Sequence, residues 1–171
     1  VCRLQLSEKS TSWRWYIDII NTTSDKALLD VIWKQEVGLK SLNDGLVNEY
    51  YVAQYLERTL LTDAVYGTVA ACRQNIKEAG GFPWLMMASA RNSLTGLTDG
   101  MQFYGNSYRA SGIPECLLQK ELLGNMAGES PVVALQESPF ELASGASHSV
   151  TFIGTFLANH PEAITEKDLA A

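Results

Sequence analysis

The sequence predicts an all-β protein, an antiparallel β-sandwich with a short helix starting at its C-terminal end. Three observations carry that reading. From Ser12 to Asn21, Trp13, Trp15, Ile17 and Ile19 alternate with Arg14, Tyr16, Asp18 and Ile20, the period of a strand with one drier face. Short apolar runs bounded by Gly, Pro, Ser or Asn then recur along the chain, as in a sandwich. Finally, 171 residues with 46% apolar and 19% charged content suffice for one domain whose core needs neither disulfide nor metal.

Taken in order, Arg3 to Leu6 alternate as a first strand, and Ser12 to Asn21 form the second. Asn21 to Lys26 is dense in residues whose side chains bond their own backbone in turns. Ala27 to Val37 places Leu29, Val31, Trp33, Gln35 and Val37 on one face, so it is expected to return beside Ser12–Asn21 as an antiparallel hairpin. Asn48 to Arg58 reads two ways: Tyr51 and Tyr55 suit a helix face, whereas Tyr50, Val52, Gln54 and Leu56 suit a strand, and the strand is preferred. Tyr66–Arg73, Trp84–Ser89, Val132–Glu137 and Val150–Leu157 complete the strands. Ser111 to Ser130, with Gly112, Pro114, Gly124 and Gly128, reads as a surface excursion around a brief helical turn from Cys116 to Leu123. Beyond Asn159 the pattern changes: Pro161 suits a first helical turn and Thr165 to Asp168 has the spacing of a capping box. The expected organisation is a sandwich over residues 1–158 and the start of a helical linker over 159–171. With a strand at its outset and no initiator Met, the chain reads as a piece of a larger protein.

Thirteen basic against 19 acidic residues give a net charge of -6, and the basic residues are scattered, which argues against nucleic acid as a partner. The longest apolar stretch, Trp84 to Ala88, is far short of a membrane span, and no export leader is visible. Cys2, Cys72 and Cys116 are odd in number and lack metal-ligand spacing, so reduced thiols in the cytoplasm are expected. The tripeptide Asn21-Thr22-Thr23 has the form of a glycosylation sequon and is discounted.

Signatures of a nucleophile elbow, a dinucleotide fingerprint and a phosphate loop are absent from the sequence. His148 and His160 lie in turn-like surroundings without a spaced partner for zinc, and no metal or cofactor is expected. The carboxylates of Asp18, Asp30, Glu57, Asp63 and Asp99 are read as solvated, since spacing alone assigns no acid pair. Trp13, Trp15 and Trp33 belong to alternating strands and are expected to pack in the core. Trp84 follows Gly80-Gly81-Phe82-Pro83, a turn that delivers it in a defined direction, for core packing or for contact with a ligand or another domain. Arg73, Gln74 and Asn75 end a strand just before that turn and bring a dense set of donors, for neighbouring backbone or for a ligand.

Several of these residues form a familiar group. Gln35-Glu36-Val37-Gly38-Leu39, Asn48-Glu49-Tyr50 with Gln54-Tyr55, and Cys72-Arg73-Gln74-Asn75 before Phe82-Pro83-Trp84-Leu85 resemble the amino-terminal β-sandwich of bacterial 1,2-β-oligoglucan phosphorylases. Thr98-Asp99-Gly100, Phe103-Tyr104-Gly105, Ser107-Tyr108-Arg109-Ala110, Ala134-Leu135-Gln136, Phe152-Ile153-Gly154 and His160-Pro161 continue the likeness in order. It extends to the wider group of cellobiose and chitobiose phosphorylases and cyclic β-1,2-glucan synthase.

The resemblance implies a galactose-mutarotase-like supersandwich, here partial, joined by helices to an (α/α) barrel in the same polypeptide. In such enzymes inorganic phosphate, a co-substrate, attacks the anomeric carbon with inversion while an Asp of the barrel protonates the leaving oxygen. No residue of this sequence inherits that role. The sandwich of these enzymes also helps form a homodimer and lends loops to a substrate site, which makes Arg73, Gln74, Asn75, Trp84, Tyr104, Tyr108 and Arg109 the candidates for contact with β-glucan oligosaccharide or a neighbouring domain. The alternatives are an independent carbohydrate-binding module and a small sugar mutarotase or lyase; two histidines weigh against the latter.

Overall fold

A computed structural model describes residues 1–91, 93–128 and 130–170. The strands in the first half are β1 Cys2–Leu6, β2 Ser12–Ile20, β3 Ala27–Leu29, β4 Ile32–Glu36, β5 Leu56–Asp63 and β6 Gly67–Gln74. The second half adds β7 Trp84–Ser89, β8 Ser93–Leu97, β9 Val132–Glu137, β10 Phe140–Leu142 and β11 Ser147–Leu157. Short helices α1 Leu42–Val47, α2 Glu49–Gln54, α3 Gly100–Tyr104 and α4 Tyr108–Ser111 and two 3₁₀ turns, Glu115–Leu118 and Glu166–Ala170, lie between and after them.

Two β layers face each other. One runs β5-β6-β7-β11-β2-β1, antiparallel throughout, and the other is β8-β9-β4. They form one curled sheet because Gly67 of β6 bridges Ser93 of β8 in parallel, the corner between the layers. The period-two pattern turns Trp13, Trp15, Ala70, Cys72, Leu85, Met87, Val150 and Phe152 inward, against Trp33, Val133 and Leu135 of the smaller layer. The all-β sandwich expected from the sequence is thus the observed class. β9 is buried along its whole length because both its faces are covered: Val132 and Ala134 pack outward with Leu97, Phe103, Cys116 and Leu122.

The strand expectations hold for β1, β2, β6, β7, β9 and β11, but the hairpin between Ser12–Asn21 and Ala27–Val37 does not form. Both edges of β2 are occupied, one by β1 and the other by β11 in an antiparallel register from Ser147–Ile20 to Thr155–Ser12. Buried Asn21 redirects the chain, its amide donating to the carbonyls of Asp25 at 2.8 Å and Leu142 at 2.9 Å. The segment then splits: β3 pairs β10, and β4 crosses to the other layer to pair β9.

Asn48–Arg58 is a helix followed by a strand rather than one strand. Asn48 caps α2 by accepting from Tyr51 N–H at 3.0 Å, and the Tyr51 and Tyr55 rings meet at 5.0 Å, the i, i+4 contact of a helix face. The helical turn expected over Cys116–Leu123 is confined to Glu115–Leu118. Near the C-terminus Pro161 is not helical; the turn begins at Glu166. Half of the expected capping box is present, Thr165 N–H donating to Asp168 Oδ2 at 3.0 Å.

Candidate functional site

The seven candidate residues fall into two places. Arg73, Gln74, Asn75 and Trp84 gather where the last residues of the chain cross the sheet. Register explains why: Arg73 at the end of β6 lies opposite Trp84 at the start of β7, and Leu157, ending β11, lies opposite Trp84 on its other side. The chain leaving β11 therefore passes over both.

Arg73 donates from Nε to the His160 carbonyl at 2.7 Å, from Nη2 to the Pro161 carbonyl at 2.8 Å, and from Nη1 to Asn75 Oδ1. Its guanidinium also lies 4.6 Å from the Phe82 ring centroid, so one buried cation binds both the turn and the tail. The His160 imidazole stacks on Trp84 at 5.4 Å and 11°, and the backbone N–H of His160 donates to the Phe82 carbonyl at 2.8 Å. Its two ring nitrogens face the Glu162 carbonyl at 2.8 Å and Asp168 Oδ1 at 3.1 Å. Gly81, at φ 122°, is required here, because a Cβ would strike Asn159, whose Oδ1 accepts from Phe82 N–H at 3.1 Å. Glu57 completes the clasp by accepting from Ile164 N–H at 3.2 Å.

Trp84, only 1% exposed, and Gln74, fully buried, present no surface to solvent. Gln74 instead ties Ile76 N–H and the carbonyls of Gly38 and Val52 together inside the sheet. Of this group only Asn75 is accessible. The Arg73 and Gln74 donors that look like part of a ligand set in the sequence are thus largely committed to backbone, and His160 is the residue that joins Arg73 to Trp84.

Tyr104, Tyr108 and Arg109 form the second place, on α3 and α4 at the outer face of the smaller layer. Asp99 caps α3 by accepting from Met101 N–H at 2.8 Å, and the Tyr104 and Tyr108 rings meet at 4.7 Å. Tyr104 Oη donates to Glu36 Oε1 at 3.2 Å, and Lys34 bonds the same carboxylate while lying 5.2 Å from the Tyr104 centroid. Lys34 in this way holds the Glu36 carboxyl below its ordinary range. Arg109 is exposed.

Beneath that helix a buried ion pair was missed by reading the sequence. Arg58 lies 4.0 Å from Asp99, their side chains 3% and 1% exposed, and donates to the Gly128 carbonyl at 2.5 Å. It fastens the excursion to β5 at Gly128. Three further acids are engaged: Asp168 with His160, Asp30 with Gln136, and buried Glu137 with Ser89. Among the described residues no cluster of His, Cys, Asp and Glu is arranged to hold a metal, and no helix is long and apolar enough to cross a membrane.

Fold and clasp together define a β-sandwich domain with a pinned C-terminal tail. The family model described as "SOGP N-terminal domain" matches residues 1–154, and the chain belongs to that family. A 1,2-β-oligoglucan phosphorylase of Listeria innocua serovar 6a is 26% identical over 151 residues, an alignment that covers 87% of this chain and 13% of that protein. The chain therefore spans about an eighth of the length of this curated relative.

Proposed function

We propose that this chain is a noncatalytic β-sandwich domain of a bacterial phosphorylase acting on β-glucan oligosaccharides. The observation that carries this reading is the asymmetry of the match, most of this chain against a small fraction of a phosphorylase, in a family described as an N-terminal domain. In the proposed arrangement the reaction, with inorganic phosphate as co-substrate, occurs on an (α/α) barrel of the same polypeptide. The sandwich supports that barrel and contributes to a homodimer, in the cytoplasm.

Two features support a structural role. Asp99, Asp168 and Glu137 are engaged in ion pairs and hydrogen bonds that hold the fold together. The clasp of Arg73, Trp84 and His160 also fixes the direction of the chain beyond β11, as a domain must if the next one is to sit in a set orientation. In this reading residues 159–171 are the start of the linker.

The test is phosphate-dependent release of glucose 1-phosphate from 1,2-β-linked glucan oligosaccharides. The isolated chain is expected to release none, and a protein carrying this chain together with a following barrel is expected to do so. Turnover by the isolated chain that disappears on substitution of one of its own acids would overturn the proposal.

A further inference from the structure

Between the end of β4 and the turn joining β1 to β2 lies a cleft of about 510 Å³, within the range of roughly 300–1,000 Å³ of pockets that hold small ligands. It is distinct from both places described above, although Glu36 borders it. Trp13 forms one wall. This residue pairs with Gly154 across the β2–β11 ladder, and a Cβ at Gly154 would overlap the indole, so the missing side chain is what lets the ring lie on the strand backbone. Trp13 is half-buried and lines the cleft.

Polar groups stand around it. Gln35 uses one amide proton on the Glu36 carbonyl at 2.8 Å, and its side-chain oxygen makes no hydrogen bond among the described residues. Glu36 carries its carboxylate on the other face of β4, where Lys34 and Tyr104 bond it, so that group does not face the cleft. Ser10, bonded to Ser7 at 2.9 Å, and Thr11, bonded to the Phe156 carbonyl, hold the overhanging turn in place. Leu39 closes the floor with φ at 51°, a left-handed backbone that leucine adopts only under tertiary constraint.

The charge of the lining selects the occupant. Its one acid, Glu36, carries its carboxylate on the other face of β4, and it has neither Lys nor Arg, so neither an anion nor a cation finds a charged partner there. A flat aromatic surface beside an amide oxygen and hydroxyls matches a neutral ring with an apolar face and many hydroxyls. We propose that the cleft beside Trp13 binds a neutral gluco-oligosaccharide, one sugar ring stacking on the indole and a hydroxyl donating to the Gln35 side-chain oxygen. The neutral, polyhydroxylated class follows from the lining; that the sugar is a 1,2-β-linked glucan rests on the proposed function.

Titration of the purified chain with a 1,2-β-linked glucan trisaccharide, followed by amide and indole NMR, tests this. The Trp13 indole N–H and the Gln35 side-chain amide are expected to shift saturably. Gln35→Ala, which leaves the core intact, is expected to weaken binding roughly tenfold without moving the melting temperature, as removal of a hydrogen-bonding group does. Trp13→Ala should abolish binding, and a fall in its stability would leave Gln35→Ala to decide. No saturable shift at Trp13, unchanged affinity in Gln35→Ala, or a Trp13 shift with inorganic phosphate alone would each overturn the inference. Any of these leaves the phosphorylase assignment standing, since that assignment is tested by glucan turnover and not by binding at this cleft.

Discussion

Trp84 shows how burial decides what an aromatic does. It sits between two strands, one face against His160, with its indole N–H enclosed and unpartnered among the described residues. Trp84→Ala is therefore expected to cost about 3–5 kcal/mol, and Trp84→Phe much less, since it keeps ring volume and removes the enclosed donor. Denaturant midpoints at constant slope measure both. Equal losses would show that the donor has a partner. Cys72 is the second case: burial pushes its thiol up to about 12, with Arg58 opposing only weakly. Its stabilising effect is whole while folded and unfolded chains both keep the proton, and it is lost as pH rises from the ordinary thiol value of about 8.5 towards 12. Stability should fall over that range, and less steeply in Cys72→Ala. At neutral pH a thiol reagent should modify exposed Cys2 and spare Cys72 and Cys116 until the protein unfolds.

The tail beyond β11 has little hydrogen bonding of its own and depends on the sheet beneath it. Arg73 supplies three of the bonds, two to carbonyls of the tail and one to Asn75. Arg73→Met preserves much of the packing against Phe82 but leaves the His160 and Pro161 carbonyls without donors, at about 1–3 kcal/mol. That loss is local: hydrogen exchange should accelerate over residues 159–170 well before β2 and β11 are affected. Exchange that rises uniformly across the sheet would mean that the tail is part of the cooperative core. The helix at Glu49–Gln54 obeys the same logic. The cap at Asn48 and the burial of Val52 and Ala53 outweigh an alternation that also suited a strand.

Across the molecule, closure of the two layers rests on aromatic contact. Trp33 of β4 stacks on Phe152 of β11 at 5.6 Å, joining strands that share no hydrogen bond. Trp33→Ala should therefore open the curl rather than merely empty a niche, with a loss of about 3 kcal/mol and a broader, less cooperative thermal transition. A sharp transition with a small shift would assign closure to the corner at Gly67 and Ser93 instead. Arg58 and Asp99 act at the same level, binding the long excursion after β8 to the larger layer without being near each other in sequence.

Alternation and punctuation are local properties, and they were enough to locate β1, β2, β6, β7, β9 and β11 and to establish the β class, because a strand with one buried face writes its period directly into the chain. Partner choice is not local. Nothing between Ser12 and Val37 reveals that β11, more than a hundred residues away, takes the edge of β2 that a hairpin would need. The candidate residues divide in the same way. Arg73, Gln74, Asn75 and Trp84 are visible as a dense group of donors beside an aromatic, but whether they face a ligand or the chain's own backbone depends on where His160 and Pro161 return. Trp13 reads as core, and it is half core; its ring lies over Gly154 and lines a cleft that the end of β4 closes on the other side. Hydrophobic period is written residue by residue, whereas strand pairing, burial and cavity walls arise from segments that meet only after the sheet has curled.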